Sequence, residues 1–552
     1  EVDPADIHIS YYETYLNEKR PFFIENATMF TLPIEMFYSR RIGEVKDISY
    51  NIRIPTYIDV AAKVSGKEFN GFSYGLIVAS THNDAPDSIN FSPEIPDDNQ
   101  YYLIRLKQDL FDGNSFVGLS ATSFKGLRGN YKLSQDDQGS TQYYLQDHFF
   151  KSSTYSIDGV FNFLDNRLYS DFQFAYSKSS KSGYAYSLQS IYDINRFWSI
   201  NVDVENIDDN FDSNDIGYIY RNDIQSKKVI INYQDLSPSS RFQERYFELG
   251  LNNKRNNSNN LRLNSSLFLS VGALMKNNNY ISLALSKSYN SFNDRLLYDY
   301  KQDELGIEMF VPSSSGGSVN WNSDSRNISS YSAGFGWGTN KIDDWGYNLR
   351  FNYVYRPDYN LKLGFDYEFY KSKEKYHWLD IVGSADNPHY IFCNSNNELQ
   401  KLVIRFDAFL NKKVTLQNYT EIIQTNNRFS NWTKLDESNI YPYDFNNIIQ
   451  GMPLYADEDS NPAPDQLVNP NNDIYFFPRY TEIIYNLVLR WEISPESEFY
   501  FVYTRYWLAN GKKISHSWDL FDEQTYQLDD APWVESSFDQ GISIKYTRQF
   551  NL

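Results

Sequence analysis

Six histidines (His8, His82, His148, His377, His389 and His516) and one cysteine, Cys393, are the side chains of this 552-residue sequence best suited to nucleophilic or metal chemistry. None of them stands in an HExxH pair, a Cys/His metal spacing or a GxSxG elbow. A Ser-His or Asp-His constellation assembled from separate loops stays open, because such sites are defined by geometry rather than chain order. His377 and His389 flank one polar segment and come nearest to that description, although exposed loop histidines describe them equally well. The expectation is that the chain is not an enzyme, with a rim-located hydrolase the least favoured reading, and that it carries no cofactor.

Asp208, Asn210, Asp212 and Asn214 alternate in a polar segment and offer hard oxygen ligands. Calcium is a weak candidate there, through Asp208, Asn210 and Asp212. Ser213 stands where an EF-hand loop wants glycine, and no glutamate follows at the required distance. A solvated acidic loop is favoured over a metal site, and Asp457-Glu458-Asp459 is read the same way. Such acids at an outer surface can also be bridged by divalent ions to lipopolysaccharide. Cys393, without a partner, cannot form an intramolecular disulfide and reads as a small side chain on a strand.

The charged residues become informative once the elements that carry them are drawn. From Tyr347 the chain runs Tyr-Asn-Leu-Arg-Phe-Asn-Tyr-Val-Tyr, turns through Arg-Pro-Asp-Tyr-Asn, and continues Leu-Lys-Leu-Gly-Phe-Asp-Tyr-Glu-Phe. Successive side chains on a strand point to opposite faces. Tyr347, Leu349, Phe351, Tyr353 and Tyr355 therefore share one face, and Asn348, Arg350 and Asn352 the other. The same alternation recurs at Tyr155 to Phe163, Phe172 to Tyr176, Trp198 to Val204, Leu402 to Leu410 and Tyr485 to Trp491, with turn residues at Asp165-Asn166-Arg167, Asn411-Lys412-Lys413 and Ser494-Pro495-Glu496-Ser497. One face apolar and one face wet through nearly a whole chain encodes a closed barrel with lipid outside and water inside.

Composition fits. Aromatic residues make up 17% of the chain, with 47 Tyr and 39 Phe, yet mean hydropathy is -0.59. No stretch approaches the ~18 apolar residues of a membrane helix, whereas a barrel strand needs only ~9–11 residues, half of them apolar. The net charge of -20 and the lack of a Lys/Arg-rich run leave nucleic-acid binding without a basis. The chain opens without a basic and apolar leader, so any signal peptide lies upstream of Glu1.

The expected fold is therefore all-β, a large single-chain antiparallel transmembrane β-barrel of about 20–22 strands, with 18 as the alternative. Residues 1–34 form an N-terminal lead-in or partial plug, lumenal or periplasmic, and 35–552 the barrel. Long polar segments at about 82–98, 125–153, 207–225, 290–314, 372–387, 426–478 and 508–538 are expected as cell-surface loops. Glu18, Arg20, Arg40 and Arg41 in the opening region, and Arg350, Arg405, Asp407 and Arg490 on wet faces, are the candidates to line or plug the lumen. Withdrawn from bulk water, the paired arginines would need carboxylate or carbonyl partners.

The stretches Val2-Asp3-Pro4-Ala5-Asp6, Tyr12-Glu13-Thr14-Tyr15, Glu18-Lys19-Arg20-Pro21-Phe22-Phe23-Ile24-Glu25 and Phe37-Tyr38-Ser39-Arg40-Arg41-Ile42-Gly43 resemble the opening signature of a domain-of-unknown-function family of Gram-negative outer-membrane barrels. Asp215-Ile216-Gly217-Tyr218, Asp235-Leu236-Ser237-Pro238 and Leu487-Val488-Leu489-Arg490-Trp491-Glu492 extend the similarity along the chain. The resemblance implies the outer membrane as location, with its lipid and lipopolysaccharide as partners. It also implies an upstream domain similar to family 9 carbohydrate-binding modules, or a partner lipoprotein, and it brings no established activity. Two functions are in contention. One is a channel or uptake component for hydrophilic, including glycan-derived, solutes; the other is a plugged barrel serving as a binding or assembly platform for a surface or secretion complex.

Overall fold

The computed structural model describes residues 15–47, 52–55, 57–82, 98–135, 141–299, 304–384, 387–434, 479–495, 497–510 and 536–548. Among these residues, twenty-one strands follow one another in chain order in a closed barrel, within the expected range. Two hairpins stand outside that order, Glu44–Asp47 with Ile52–Pro55 and Ser291–Asp299 with Glu304–Val311. No helix among the described residues is long and apolar enough to cross a membrane. The chain divides into two compact units, residues 1–232 with 250–265, and residues 233–249 with 266–552.

In the first unit the barrel strands begin at Tyr57–Lys67, later than the boundary expected after residue 34, and continue through Phe72–His82, Asp98–Leu110, Ser115–Gln135, Thr141–Phe163, Leu168–Lys178, Ser182–Asp193 and Trp198–Ile207. Registered neighbours on one face include Leu106, Leu119, Ile157, Phe174 and Tyr186. Of these, Leu119, Ile157, Phe174 and Tyr186 are exposed. The opposite face carries Arg105, Ser120, Ser156 and Ala175, all buried. An exposed greasy face with a buried polar one is the reverse of a water-soluble sheet, and hydrocarbon on the outside explains it.

The second unit shows the same division. Ala333, Phe351, Tyr367 and Leu402 are registered on the outer face, and Gly334, Arg350, Glu368 and Lys401 on the inner one. Outer aromatics meet across strands, Tyr331 stacked on Tyr353 at 6.2 Å and Tyr347 tilted against Phe369 at 5.9 Å.

Several segments expected as loops differ. Strands Ser115–Gln135 and Thr141–Phe163 run through 125–153, strands Leu361–Ser384 and Asn387–Asn411 run through 372–387, and Val414–Lys434 enters 426–478. Beyond the lipid band no apolar face is required, so polar sequence continues in strand form by backbone pairing alone. The segment 290–314 contains the separate hairpin. The segment 207–225 folds onto the rest of its unit, with Phe211 and Ile216 buried. Residues 83–97, 435–478 and 511–535 lie outside the described residues.

Candidate functional site

The opening segment is built as a short, stiff insert. Proline begins the helical turn Pro21–Ile24, where its fixed φ fits and its missing N–H costs nothing. Asn26 takes a left-handed conformation (φ 52) that breaks the turn before the 3-10 turn Ala27–Phe30. The chain then extends, and alternate side chains Phe30, Leu32, Ile34, Met36 and Tyr38 are buried. Phe23, Phe30 and Ile42 pack with Ile77, Ala79, Tyr101, Leu103 and Phe124 of the inner wall and with Ile216. Leu32, Ile34 and Met36 pack with Ala175, Ala185, Ile207 and Phe211.

Polar contacts hold the insert in place. The Ile34 N–H donates to Gln173 Oε1 at 2.6 Å, and Gln173 Nε2 donates to the Ile34 carbonyl at 3.2 Å. The Tyr38 N–H donates to the Ile216 carbonyl at 2.7 Å, and the Tyr218 N–H to the Glu35 carbonyl at 2.9 Å, so two backbone hydrogen bonds tie the insert to the segment 208–223. Two glycines permit these approaches. A Cβ on Gly75 would meet the Phe30 ring at 2.6 Å, and one on Gly217 would lie 2.9 Å from the Met36 backbone.

The four opening candidates come together. Glu18 accepts from Arg20 Nη2 at 2.7 Å and from Ser39 Oγ at 2.5 Å. Arg20 also donates to the carbonyls of Ile42 and Ser39 at 2.6 and 2.8 Å. Arg40 donates to the Asn17 carbonyl at 2.6 Å, and Arg41 to that of Gly217 at 3.0 Å. Burial pushes the Glu18 carboxyl up, but hydrogen bonds from Arg20 and Ser39 outweigh it and hold the group down at about 2. Burial, followed by the charge and hydrogen bond of Glu35, pushes the Tyr15 phenol up to about 12. Burial also raises Glu35, against the opposing Tyr15 hydrogen bond and Arg41 charge.

Beside Gln173 on the inner wall lies a buried ion pair that the sequence reading missed. Arg105 grips Asp158 through both terminal nitrogens and donates to Ser120 Oγ at 3.1 Å, with each charged side chain only 3% exposed. Gly118 makes room for it, since a Cβ there would fall 2.7 Å from Arg105 Cζ. The signal in the sequence was the placement of charges at inward positions, Arg105 with Lys107 and Asp109 on one strand and Asp158 on another.

The other candidates lie in the second unit, each with its own partner. Arg350 donates to Glu368 Oε1 at 2.8 Å, and Lys362 pairs with Asp407 at 3.9 Å. The Arg405 guanidinium lies 5.3 Å from the Tyr419 ring centroid, and Arg490 pairs with Glu498. They form a polar wall rather than one focus.

The calcium candidates do not converge on a common point. Asp208 Oδ1 accepts from the Asn210 N–H at 3.3 Å, and Asp212 Oδ1 from the Asn214 N–H at 2.9 Å, so both close local turns. Asp208 and Asp209 share a hydrogen bond that lowers the first carboxyl and raises the second. Among the described residues no group of three His, Cys, Asp or Glu side chains could hold a metal ion. His377 Nδ1 lies 2.7 Å from Glu374 Oε2; the His389 side chain is outside the described residues.

Strands with a lipid-facing outer surface, a charged inner wall and a non-strand insert on that wall define an outer-membrane β-barrel with a lumenal segment. The chain belongs to the family described as domain of unknown function (DUF5916), whose model matches residues 1–520. Among solved structures it is similar to the FrpB iron transporter from Neisseria meningitidis (F3-3 variant), at 9% identity over 89% of this chain and 72% of that one, with a TM-score of 0.41. It is also similar to the siderophore receptor PirA from Pseudomonas aeruginosa (11% identity, 90% and 79% covered, TM-score 0.38) and to the ferric citrate transporter FecA in the unliganded form (8%, 82% and 68%, 0.34). The search of curated proteins finds no match.

Proposed function

We propose that this protein is an outer-membrane channel for hydrophilic solutes, closed by the insert of residues 15–43. The observation that supports the reading is the way the insert is held. It touches the inner wall through side-chain packing, through the two hydrogen bonds of Gln173, and through hydrogen bonds from Lys63 to the carbonyls of Phe22 and Glu25 and from Asn26 to Ser65 Oγ, and it contributes no strand to the barrel order there. A barrel of about 20 strands is too wide for its inward side chains to fill, so a separate insert is what closes such a lumen.

The solute class we favour is polyhydroxylated and glycan-derived. Asn348, Asn352, Asp366 and Glu368 on the inner face of the second unit supply the amide and carboxylate groups that bind hydroxyls, and the resemblance to barrels that follow sugar-binding domains points the same way. No catalytic role is proposed.

Planar-bilayer conductance tests this. The intact protein should pass little current, and deletion of residues 15–43 should raise it, with partial block by oligosaccharides. An unchanged current together with a co-purifying protein partner would favour an assembly platform instead.

A further inference from the structure

The inner wall of the second unit carries a groove of about 740 Å³, within the roughly 300–1,000 Å³ of small-molecule sites. Its floor is nearly bare of side chains. In one register row Ser286, Gly316, Gly338, Gly346 and Ser372 stand side by side on neighbouring strands, and in the next row Ser318, Gly336, Asn348 and Tyr370. Both rows share the wet face of Gly334, Arg350 and Glu368. Three consecutive glycines at a strand spacing of about 4.8 Å leave a flat backbone strip about 10 Å across.

A Cβ on Gly338 would have nothing within 4 Å, whereas one on Gly336 would collide with the Asn348 carboxamide oxygen, and one on Gly346 would lie 3.3 Å from Ser372 Cβ and 3.7 Å from the Tyr370 hydroxyl. The glycines therefore open the floor and bring three polar side chains to its edge. Ser372 is only 5% exposed, yet among the described residues its hydroxyl has no hydrogen-bond partner, and neither has the Asn348 carboxamide or the Tyr370 hydroxyl. A buried hydroxyl left unpaired is unfavourable, and a ligand that bonds it relieves that cost. The acids of the lining are already engaged. Asp344 accepts from the Lys375 N–H at 2.6 Å and from Asn340 Nδ2 at 2.7 Å, and Glu374 lies 2.7 Å from His377 Nδ1. What the groove offers a ligand is thus neutral: a flat floor, a tyrosine ring, two hydroxyls and an amide.

We infer that this groove binds a neutral oligosaccharide. A pyranose ring has apolar faces and a rim of hydroxyls. The faces suit the bare glycine strip and the Tyr370 ring, and the rim suits Ser372, Asn348 and the Tyr370 hydroxyl. Strand Leu361–Ser384 continues beyond Lys373, the partner of the first residue of strand Trp345–Asp358. The end with the longer extensions is the outer one in barrels of this class, so a solute arriving from outside meets the groove early. The assignment rests on the uptake reading for its solute class and adds where that solute docks.

The experiment titrates maltotriose, cellotriose and the anionic trigalacturonate into the full chain, purified in a detergent without a sugar headgroup and read by calorimetry. A neutral trisaccharide should bind and trigalacturonate should not. Ser372→Ala should weaken binding about fivefold, the worth of one net hydrogen bond. Gly338→Leu, whose side chain enters open space, should abolish binding with heat-modifiable mobility kept; Ser372→Ala carries the test if that variant does not fold. No binding of either neutral sugar, equal binding of trigalacturonate, or a folded variant of either kind that binds as the parent does would each overturn the assignment. Conductance separates it from the uptake reading. Sugar binding that Gly338→Leu removes, with no current after deletion of residues 15–43, keeps the groove and sinks the channel, whereas a current that opens without any sugar binding does the reverse.

Discussion

The Gln173 carboxamide holds both polar groups of the Ile34 peptide, accepting its N–H at 2.6 Å and donating to its carbonyl at 3.2 Å, on a side chain that is 1% exposed. One wall residue thus satisfies a stretch of insert backbone that has no strand partner at that point. Gln173→Ala would leave two buried backbone groups unpaired, at about 1–3 kcal/mol each. The insert should become protease-sensitive while the barrel keeps its heat-modifiable mobility; unchanged resistance would show that apolar packing alone suffices.

The Arg105–Asp158 pair is expected to behave as a buried unit. Arg105→Ala strands the Asp158 carboxylate and should destabilise by about 3–5 kcal/mol, while joint replacement by Arg105→Met and Asp158→Leu should cost much less. Urea unfolding in lipid vesicles measures both. Equal losses would mean that the two charges act independently.

Phe351 and Asn352 are sequence neighbours on opposite faces. Phe351 is 44% exposed in an outer aromatic row, with Phe365 at 6.4 Å, whereas Asn352 donates to Asp366. Phe351→Arg should cost about 2–4 kcal/mol at mid-membrane depth. Asn352→Arg, placed beside an acid, should be nearly neutral. The same folding assay applied to both reads the facing directly.

Acid should loosen the insert. The Glu18 carboxyl is held at about 2, below its ordinary 4.5, so its stabilising contribution is present above the ordinary value and is lost as pH falls through the depressed one. Protease sensitivity of residues 15–43 should therefore rise between about pH 4 and about pH 2. Glu18→Gln should remove most of that pH dependence; a variant that titrates like the parent would assign the effect to other groups.

Much of the architecture could be read from residue order. The alternation at Tyr347 to Tyr355 predicted the faces that the register shows, and the turn at Asp165-Asn166 appears with both residues in the left-handed region (φ 56 and 65). The lengths of the outer strands could not be read, because above the lipid band side chains no longer report on backbone pairing. The inserted segment carried a signal that passed unnoticed. Phe30, Leu32, Ile34 and Met36 alternate as a strand would, yet they pack on a wall instead of joining it.

By itself the sequence determined which side of each strand meets lipid and which meets water, since a period of two and two immiscible environments leave one arrangement for such residues. Tertiary structure alone decided what covers the inner wall of the first unit. Gln173 and Ile34 are 139 positions apart, and Gly217 and Gly118 look like any other glycines until a backbone or a guanidinium arrives beside them. Such roles arise from proximity between distant segments, and local patterning holds no record of it.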